Sequence, residues 1–142
     1  MKILYSGPCR PGSLTEARRK ACLALGHQLV VIDQVPYIDR YSWFFRRVQL
    51  HSLIGPGIYR YNHDLVLRAS AEKPDLVYID QAALLWPETV RRLSEVAPVI
   101  HYTSEHLGFR RYFYRNARRA APRFAAHVIT KDRKSTRLNS SH

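Results

Sequence analysis

Polar side chains that could do chemistry follow two apolar runs of this sequence. The run 75–80 (DLVYID) ends in Asp80 and is followed by Gln81, and the run 98–103 (PVIHYT) is followed by Ser104, Glu105 and His106. Carboxylate and imidazole groups can transfer protons or hold sugar hydroxyls. The candidate catalytic residues are therefore Asp80, Glu105 and His106. The candidate substrate-binding residues at these two positions are Gln81, Thr103 and Ser104. Capping of the next helix explains Ser104 and Glu105 equally well.

The loop after the first apolar run contains two glycines five positions apart, Gly7 and Gly12, and leads into Ser13. A phosphate loop requires Lys and then Ser or Thr after its second glycine, and this loop has neither that pair nor the GxGxxG spacing of dinucleotide-binding loops. A glycine-bearing turn that opens onto a helix N-terminus can still receive an anion or a sugar hydroxyl. We therefore take Gly7, Gly12 and Ser13 as candidate substrate-binding residues, with a plain tight turn as the alternative.

The remaining residues that could do chemistry do not form a recognisable site. Asp33 ends an apolar run where dinucleotide-binding folds place a ribose-binding carboxylate, but without the glycine pattern a capping or surface role is favoured. The histidines are scattered without the spacing of metal ligands, so no metal site is predicted. His101 lies inside an apolar run and is expected to be a satisfied residue of the core or of a sheet face. Cys9 and Cys22 are thirteen apart and are expected to be reduced thiols.

An arginine-rich segment with interspersed aromatic residues spans 109–123, in a chain whose net charge is +12. Arginine with aromatics can bind nucleic acid, lie on an anionic membrane or face a phosphorylated acceptor. An amphipathic helix with solvated arginines is the alternative. The candidate residues for contact with a polyanion or a membrane are Arg110, Arg111, Arg115, Arg118 and Arg119.

A second aromatic and basic stretch, 41–47 (YSWFFRR), contains three adjacent large aromatics. Three consecutive side chains cannot all face one side of a helix. At least one is expected to be exposed, which favours contact with a partner, a membrane or a second domain.

Apolar runs and helical patterns alternate along residues 1–131. Strands are predicted at 3–5, 28–33, 75–80, 98–103 and 126–130. Helices are predicted after Ser13, where Ser13 and Glu16 form a capping box, through the spacing of Ile58 to Ala69, and after Pro87. Because the strands are apolar nearly throughout, the pattern predicts an α/β, Rossmann-like open parallel sheet with helices on both faces.

The last eleven residues, 132–142 (DRKSTRLNSSH), are polar and without periodicity. All eleven match the direct translation of a widely used sequencing adapter. We therefore expect a natural domain over 1–131, incomplete at its C-terminal end, and a non-native tail over 132–142.

The phrases KILYSG, ALGHQLVVID, KPDLVYID and PVIHYTSEH, in this order and spacing, resemble the N-terminal domain of GT-B glycosyltransferases, particularly family 4-like and CgeB-like sequences. The resemblance implies an enzyme with its active site between two Rossmann-like domains, of which this one faces the sugar acceptor. The nucleotide-sugar donor would bind mainly to a C-terminal domain of the same chain, so no cofactor is expected on this part. The fragment alone is then expected to be inactive.

The alternative is a non-enzymatic Rossmann-like module that binds nucleic acid or another polyanion through the arginine-rich segment. No apolar run approaches the roughly 18 residues that span a bilayer, and the first residues do not resemble a signal peptide. The expected location is the cytoplasm, with peripheral contact to an anionic membrane as a further expectation.

Overall fold

Five parallel strands form the centre of the protein in a computed structural model that describes residues 1–104 and 115–130. The strands are β1 (Lys2–Gly7), β2 (Gln28–Asp33), β3 (Leu76–Asp80), β4 (Val99–Thr103) and β5 (Ala126–Ile129). The helices of the described ranges are α1 (Leu14–Ala24), α2 (Val35–Asp39), α3 (Trp43–Ser52), α4 (Pro56–Glu72), α5 (Pro87–Ser94) and α6 (Arg115–Ala120). The predicted α/β, Rossmann-like parallel sheet is confirmed.

The strand order is β2-β1-β3-β4-β5, so the chain changes direction across the sheet at β1. From β1 the chain passes through α1 to β2 on one side, and from β2 it returns through α2, α3 and α4 to β3 on the other side. In sheets of this kind the loops at the carboxyl ends of the two central strands diverge and leave a crevice. The crevice is expected between the ends of β1 and β3.

One face of the sheet carries the main hydrophobic core. Leu4, Val77, Ile79 and Val99 point to this face and are fully or almost fully buried beneath α4 and α5. The α4 residues at the predicted helical spacing, Ile58, Tyr61, Leu65 and Ala69, are all 0% exposed. A stripe at intervals of three and four residues lies on one side of a helix, which is why this pattern placed α4 correctly.

The opposite face is covered by α1, and the packing side of this helix is polar. Thr15 is buried and Arg18 half-buried against the sheet, while Leu14 and Leu25 are 68% and 74% exposed. The apolar spacing of α1 therefore predicted the helix but not its orientation. Arg18 is drawn inward because it pairs with Asp80 and lies over the ring of Tyr102, with 4.1 Å from the guanidinium carbon to the ring centroid.

Two further helices lie between β2 and β3, where the sequence patterns did not assign a structure. The short α2 follows β2 directly, and α3 begins after Ser42, whose hydroxyl accepts from the Phe45 amide. The predicted adapter-derived tail, 132–142, lies outside the described residues, so the domain boundary at 131 stays a prediction.

Candidate functional site

A cleft of about 520 Å³ lies at the carboxyl ends of β1, β2 and β3. Pro8 follows β1, Gln34 follows β2 and Gln81 follows β3, so each strand contributes to its lining. Helices α2 and α3 form the other wall through Asp39 and Arg46. A larger concavity of about 650 Å³ lies beside the edge strand β2 and not at the direction change. We take the cleft at the strand ends as the candidate site because ligands of open parallel sheets bind at this position.

Two glutamines connect the strand ends at the bottom of the cleft. The Gln34 side-chain amide donates to the Tyr61 hydroxyl at 3.0 Å and to the Gln81 carbonyl at 3.3 Å. The Tyr61 hydroxyl also bonds Ser6 at 2.9 Å, and the Ser6 hydroxyl donates to the Ile32 carbonyl at 2.8 Å. A buried polar network whose members are all hydrogen-bonded is rigid. The base of the cleft is therefore preorganised.

Gln81 has an unusual backbone conformation, with φ 60° and ψ 81°. Its backbone amide donates to the Tyr102 carbonyl at 2.9 Å, and its carbonyl accepts from Ala83 at 2.9 Å. Left-handed backbone at a non-glycine residue costs free energy, and such strain is concentrated at functional sites. Within the described residues the Gln81 side-chain amide makes no hydrogen bond, so it can serve a ligand.

Charged groups lie at the mouth of the cleft around a single carboxylate. Arg10 reaches Asp39 at 3.1 and 3.3 Å, and Arg46 reaches the same carboxylate at 3.3 Å. The Asp39 oxygens are thus engaged by guanidinium groups and are poorly suited to act as a base. Arg10 and Arg46 can donate to hydroxyl or anionic oxygens of a ligand. The described residues of the cleft are therefore better suited to binding a ligand than to acting as a base.

The predicted catalytic residue Asp80 lies beside the cleft but points away from its lining. Its side chain is fully buried and accepts two hydrogen bonds from Arg18, at 2.7 and 3.0 Å, and one from the Tyr5 hydroxyl at 3.0 Å. Burial, with the neighbouring Asp80 carboxylate, raises the pKa of Tyr5 far above its usual range and that of Tyr78 to about 12. Both phenols stay protonated, and the arrangement holds α1 against the end of β3. The catalytic role of Asp80 stays a prediction.

The predicted residues of the first loop have local structural roles. An added Cβ at Gly7 would lie 2.8 Å from both Asp80 and Thr15, so this glycine allows α1 to approach β3. Gly12 has a φ of +75° with open space around it. The Ser13 hydroxyl accepts from the Glu16 amide at 3.1 Å, and the Glu16 carboxylate accepts from the Gly12 amide at 2.8 Å. The predicted cap by Ser13 is confirmed, whereas the Glu16 carboxylate bonds the Gly12 amide and not that of Ser13, which donates to the Arg10 carbonyl. Ligand contact by these residues stays a prediction.

Some of the remaining predicted site residues lie in the described ranges, and the others lie outside them. Thr103 is fully buried at the end of β4 and Ser104 is half-buried after it. On α6, Arg115 donates to the Ser52 carbonyl at 2.9 Å, and Arg118 and Arg119 are exposed. Glu105, His106, Arg110 and Arg111 lie outside the described residues.

Asp33 and His101 have the structural roles that the sequence favoured. The Asp33 carboxylate accepts from the amides of Cys9 and Val35, at 3.1 and 3.0 Å, and so holds the turn from β2 into α2 against the loop after β1. His101 is fully buried and its Nε2 accepts from the Ala82 amide at 3.2 Å. Burial, with the nearby Asp33 carboxylate, raises the pKa of Cys9 to about 11, so its thiol is not an activated nucleophile. In residues 1–104 and 115–130 no three His, Cys, Asp or Glu side chains come together as metal ligands.

Sequence reasoning missed three residues of the site region, Arg10, Gln34 and Arg46. Gln34 follows β2 as Gln81 follows β3, so the same strand-end argument would have found it. Arg10 lies in the loop after β1 and Arg46 on α3, and no spacing in the sequence signals that both reach Asp39.

No known protein family matches this chain, and no curated protein sequence is significantly similar to it. Among the helices that the structure describes, none combines the length and the apolar character needed to cross a membrane.

Proposed function

We propose that this chain is the acceptor-side domain of a glycosyltransferase of the GT-B type, and that the cleft at the strand ends holds the sugar acceptor. The observation that carries the proposal is the position of the cleft at the direction change of the sheet, lined by Gln34, Gln81, Arg10 and Arg46. Amide and guanidinium groups on a rigid base are suited to holding several hydroxyls. The sequence resemblance to GT-B N-terminal domains supports the same function.

In this proposal, acceptor binding and sugar transfer belong to different domains. The described residues of the cleft include no unpaired carboxylate that could act as a base, since Asp39 is engaged by two arginines. The donor and most of the transfer chemistry belong to a second domain, so the chain alone binds an acceptor without transferring sugar to it. We place this activity in the cytoplasm.

The proposal is tested by titrating the chain with a panel of methyl hexosides, as acceptor probes, and with UDP-glucose, as a donor probe, while amide shifts are followed by NMR. We expect one or more hexosides to shift the amides of Arg10, Gln34 and Gln81, and UDP-glucose to affect them less. Incubation of the chain with UDP-glucose and the same hexosides should yield no transfer product. Transfer by the chain alone, or hexoside shifts confined to residues outside the cleft, would contradict the proposal.

A second function is favoured by one observation outside the cleft. Arg118 and Arg119 are adjacent and exposed on α6, whereas Asn116, Ala117 and Ala120 of the same helix are buried. A helix that exposes arginines in a chain of net charge +12 is suited to bind a polyanion such as nucleic acid. This alternative makes the chain a binding module without enzymatic activity.

A further inference from the structure

Helix α3 turns its apolar side toward solvent. Trp43, Phe44 and Val48 are 64%, 70% and 44% exposed. On the opposite side of the helix Gln49 is 1% exposed, and its side-chain oxygen accepts from the Gly57 amide at 2.9 Å. A helix that packs on its own domain ordinarily shows the reverse arrangement. Packing within the described residues therefore does not account for these apolar side chains.

The exposed side of α3 is basic as well as aromatic. Arg47 lies on it, with its guanidinium carbon 5.6 Å from the centroid of the Trp43 ring. The helix sequence WFFRRVQLHS contains no acidic residue. We call the surface formed by Trp43, Phe44, Arg47 and Val48 the α3 face. Tryptophan, phenylalanine and arginine together are typical of segments that lie in the interface of a membrane.

The apolar surface continues beyond the C-terminal end of α3. The Ser52 hydroxyl donates to the Val48 carbonyl at 2.9 Å and accepts from the Ile54 amide at 3.2 Å, so Ile54 is held close to the last turn. Ile54 is 69% exposed, and Tyr59, which lines the same shallow concavity, is 60% exposed. A cluster of exposed apolar side chains of this kind marks an interaction surface.

We propose that the α3 face docks on an anionic membrane surface, with Trp43 and Phe44 inserted among the lipids and Arg47 paired with headgroup phosphates. Charge complementarity favours lipid over a second copy of this chain, because a symmetric contact would bring two Arg47 side chains and two basic proteins together. The proposal does not depend on the proposed function. Arg46 and Leu50, on the adjoining side of α3, line the candidate cleft, so docking brings the cleft close to the membrane.

The first test is cosedimentation of the full chain with vesicles of phosphatidylcholine alone and of phosphatidylcholine mixed with phosphatidylglycerol. We expect binding to the anionic vesicles only. The double variant Trp43→Ser, Phe44→Ser should lower the partition coefficient about tenfold or more, because two apolar side chains no longer insert. The matched control is Leu14→Ser, Leu25→Ser, which removes two comparably exposed apolar residues, the first residue of α1 and the residue that follows its end, and should bind as the unmodified chain does. Absence of binding by the unmodified chain, or an equal loss in both double variants, overturns the proposal.

The second test uses the two tryptophans of the chain separately. In Trp86→Phe the remaining Trp43 should shift its emission to shorter wavelength when anionic vesicles are added. In Trp43→Phe the remaining Trp86, which is half-buried, donates to the Leu53 carbonyl and lies outside the α3 face, should shift less. Binding that persists in Trp43→Ser, Phe44→Ser would assign membrane contact to another segment and overturn the proposal. So would a dimer of the unmodified chain that dissociates in this variant and does not bind vesicles.

Discussion

At the scale of single residues, the sequence neighbours Asp80 and Gln81 have different surroundings. Asp80 is buried and its oxygens accept from Arg18 and Tyr5, whereas the Gln81 side chain reaches the cleft from a left-handed backbone. A paired buried carboxylate that loses its partner is strongly destabilising, so Asp80 contributes to the fold whether or not it has another role. The Gln81 side chain makes no hydrogen bond within the described residues, so its removal should cost less stability than removal of the Asp80 side chain.

This contrast leads to a prediction for Gln81→Gly. Glycine adopts a φ of 60° without steric cost, so the free energy of unfolding should stay unchanged or rise by up to about 1 kcal/mol. Binding of methyl hexosides in the cleft should weaken, because the side-chain amide is lost. Urea denaturation measures the first effect and NMR titration the second.

Lys73→Gly is the matched control, since Lys73 also has a left-handed backbone, with φ 46°, but lies at the end of α4. It should gain stability in the same way and bind hexosides normally. A Gln81→Gly variant that is strongly destabilised, or that binds hexosides with full affinity, would refute the role assigned to Gln81.

At the scale of secondary-structure elements, a histidine pair connects β4 with the edge strand β5. The Ala82 amide donates to Nε2 of His101, so the neutral ring carries its proton on Nδ1 and donates it to Nδ1 of His127 at 2.9 Å. The proton of His127 is then on its buried Nε2, which has no hydrogen-bond partner within the described residues. A second proton on either ring would break one of these bonds. The pair is compatible with the fold only when both rings are neutral.

The pKa values give the pH dependence and its sign. Burial, and then the neighbouring His127, lowers the pKa of His101 from 6.5 to about 3, and burial lowers that of His127. Below about pH 6.5 the unfolded chain takes up protons that the folded chain does not, so stability is complete above this pH and is lost as the pH falls toward 3. Between about pH 7.5 and about pH 5 the loss from His101 alone should be about 2 kcal/mol.

The variant His101→Gln isolates this contribution. A glutamine oxygen can accept from the Ala82 amide but does not titrate, so the decline of stability between these two pH values should become smaller. His63→Gln is the control, because this exposed histidine is not part of the pair and its replacement should leave the decline unchanged. Equal pH dependence of the unmodified chain and His101→Gln, measured by urea denaturation, would be inconsistent with the role of the pair.

At the scale of the whole molecule, the surface of the protein is more unusual than its core. One sheet face is covered by α4 and α5 and packs as an ordinary core, whereas α1 and α3 both present apolar residues to solvent. The chain as a whole is basic, with 23 Lys and Arg against 11 Asp and Glu. Membrane docking through α3 and polyanion binding through α6 use different residues and are separable by experiment, although Arg115 of α6 contacts Ser52 at the end of α3.

The polyanion alternative makes a prediction about salt. If the chain binds nucleic acid through α6, its affinity for a duplex or single strand should fall steeply as salt concentration rises, because phosphate contacts release counterions. Replacing Arg115, Arg118 and Arg119 together by glutamine should abolish most of this binding in a fluorescence-anisotropy titration. Binding that is absent, or that is insensitive to salt, would exclude the alternative. The vesicle-binding double variant on α3 serves as the control and should bind nucleic acid normally.

Local patterns in the sequence were sufficient to predict the strands, the parallel sheet and the buried side of α4. Hydrophobic periodicity and helix capping depend on neighbours a few positions apart, so Ile58 to Ala69 and the Ser13–Glu16 cap are visible in the sequence. The strand-end rule likewise placed Gln81 at the edge where the cleft lies. These features depend on residues that are close in the sequence, so they can be predicted from it without knowing any distant contact.

The tertiary structure alone decided which side of α1 and α3 faces inward and which strand-end residues reach the cleft. Arg18 lies 62 positions from Asp80, yet their pairing turns the polar side of α1 toward the sheet and withdraws Asp80 from the cleft. The Gln49 side-chain oxygen similarly turns α3 by accepting from the Gly57 amide, although the Gln49 side-chain nitrogen is buried without a partner in the described residues. A buried charge or amide must find its partner wherever the chain brings one, and this requirement can outweigh the burial of a few apolar side chains.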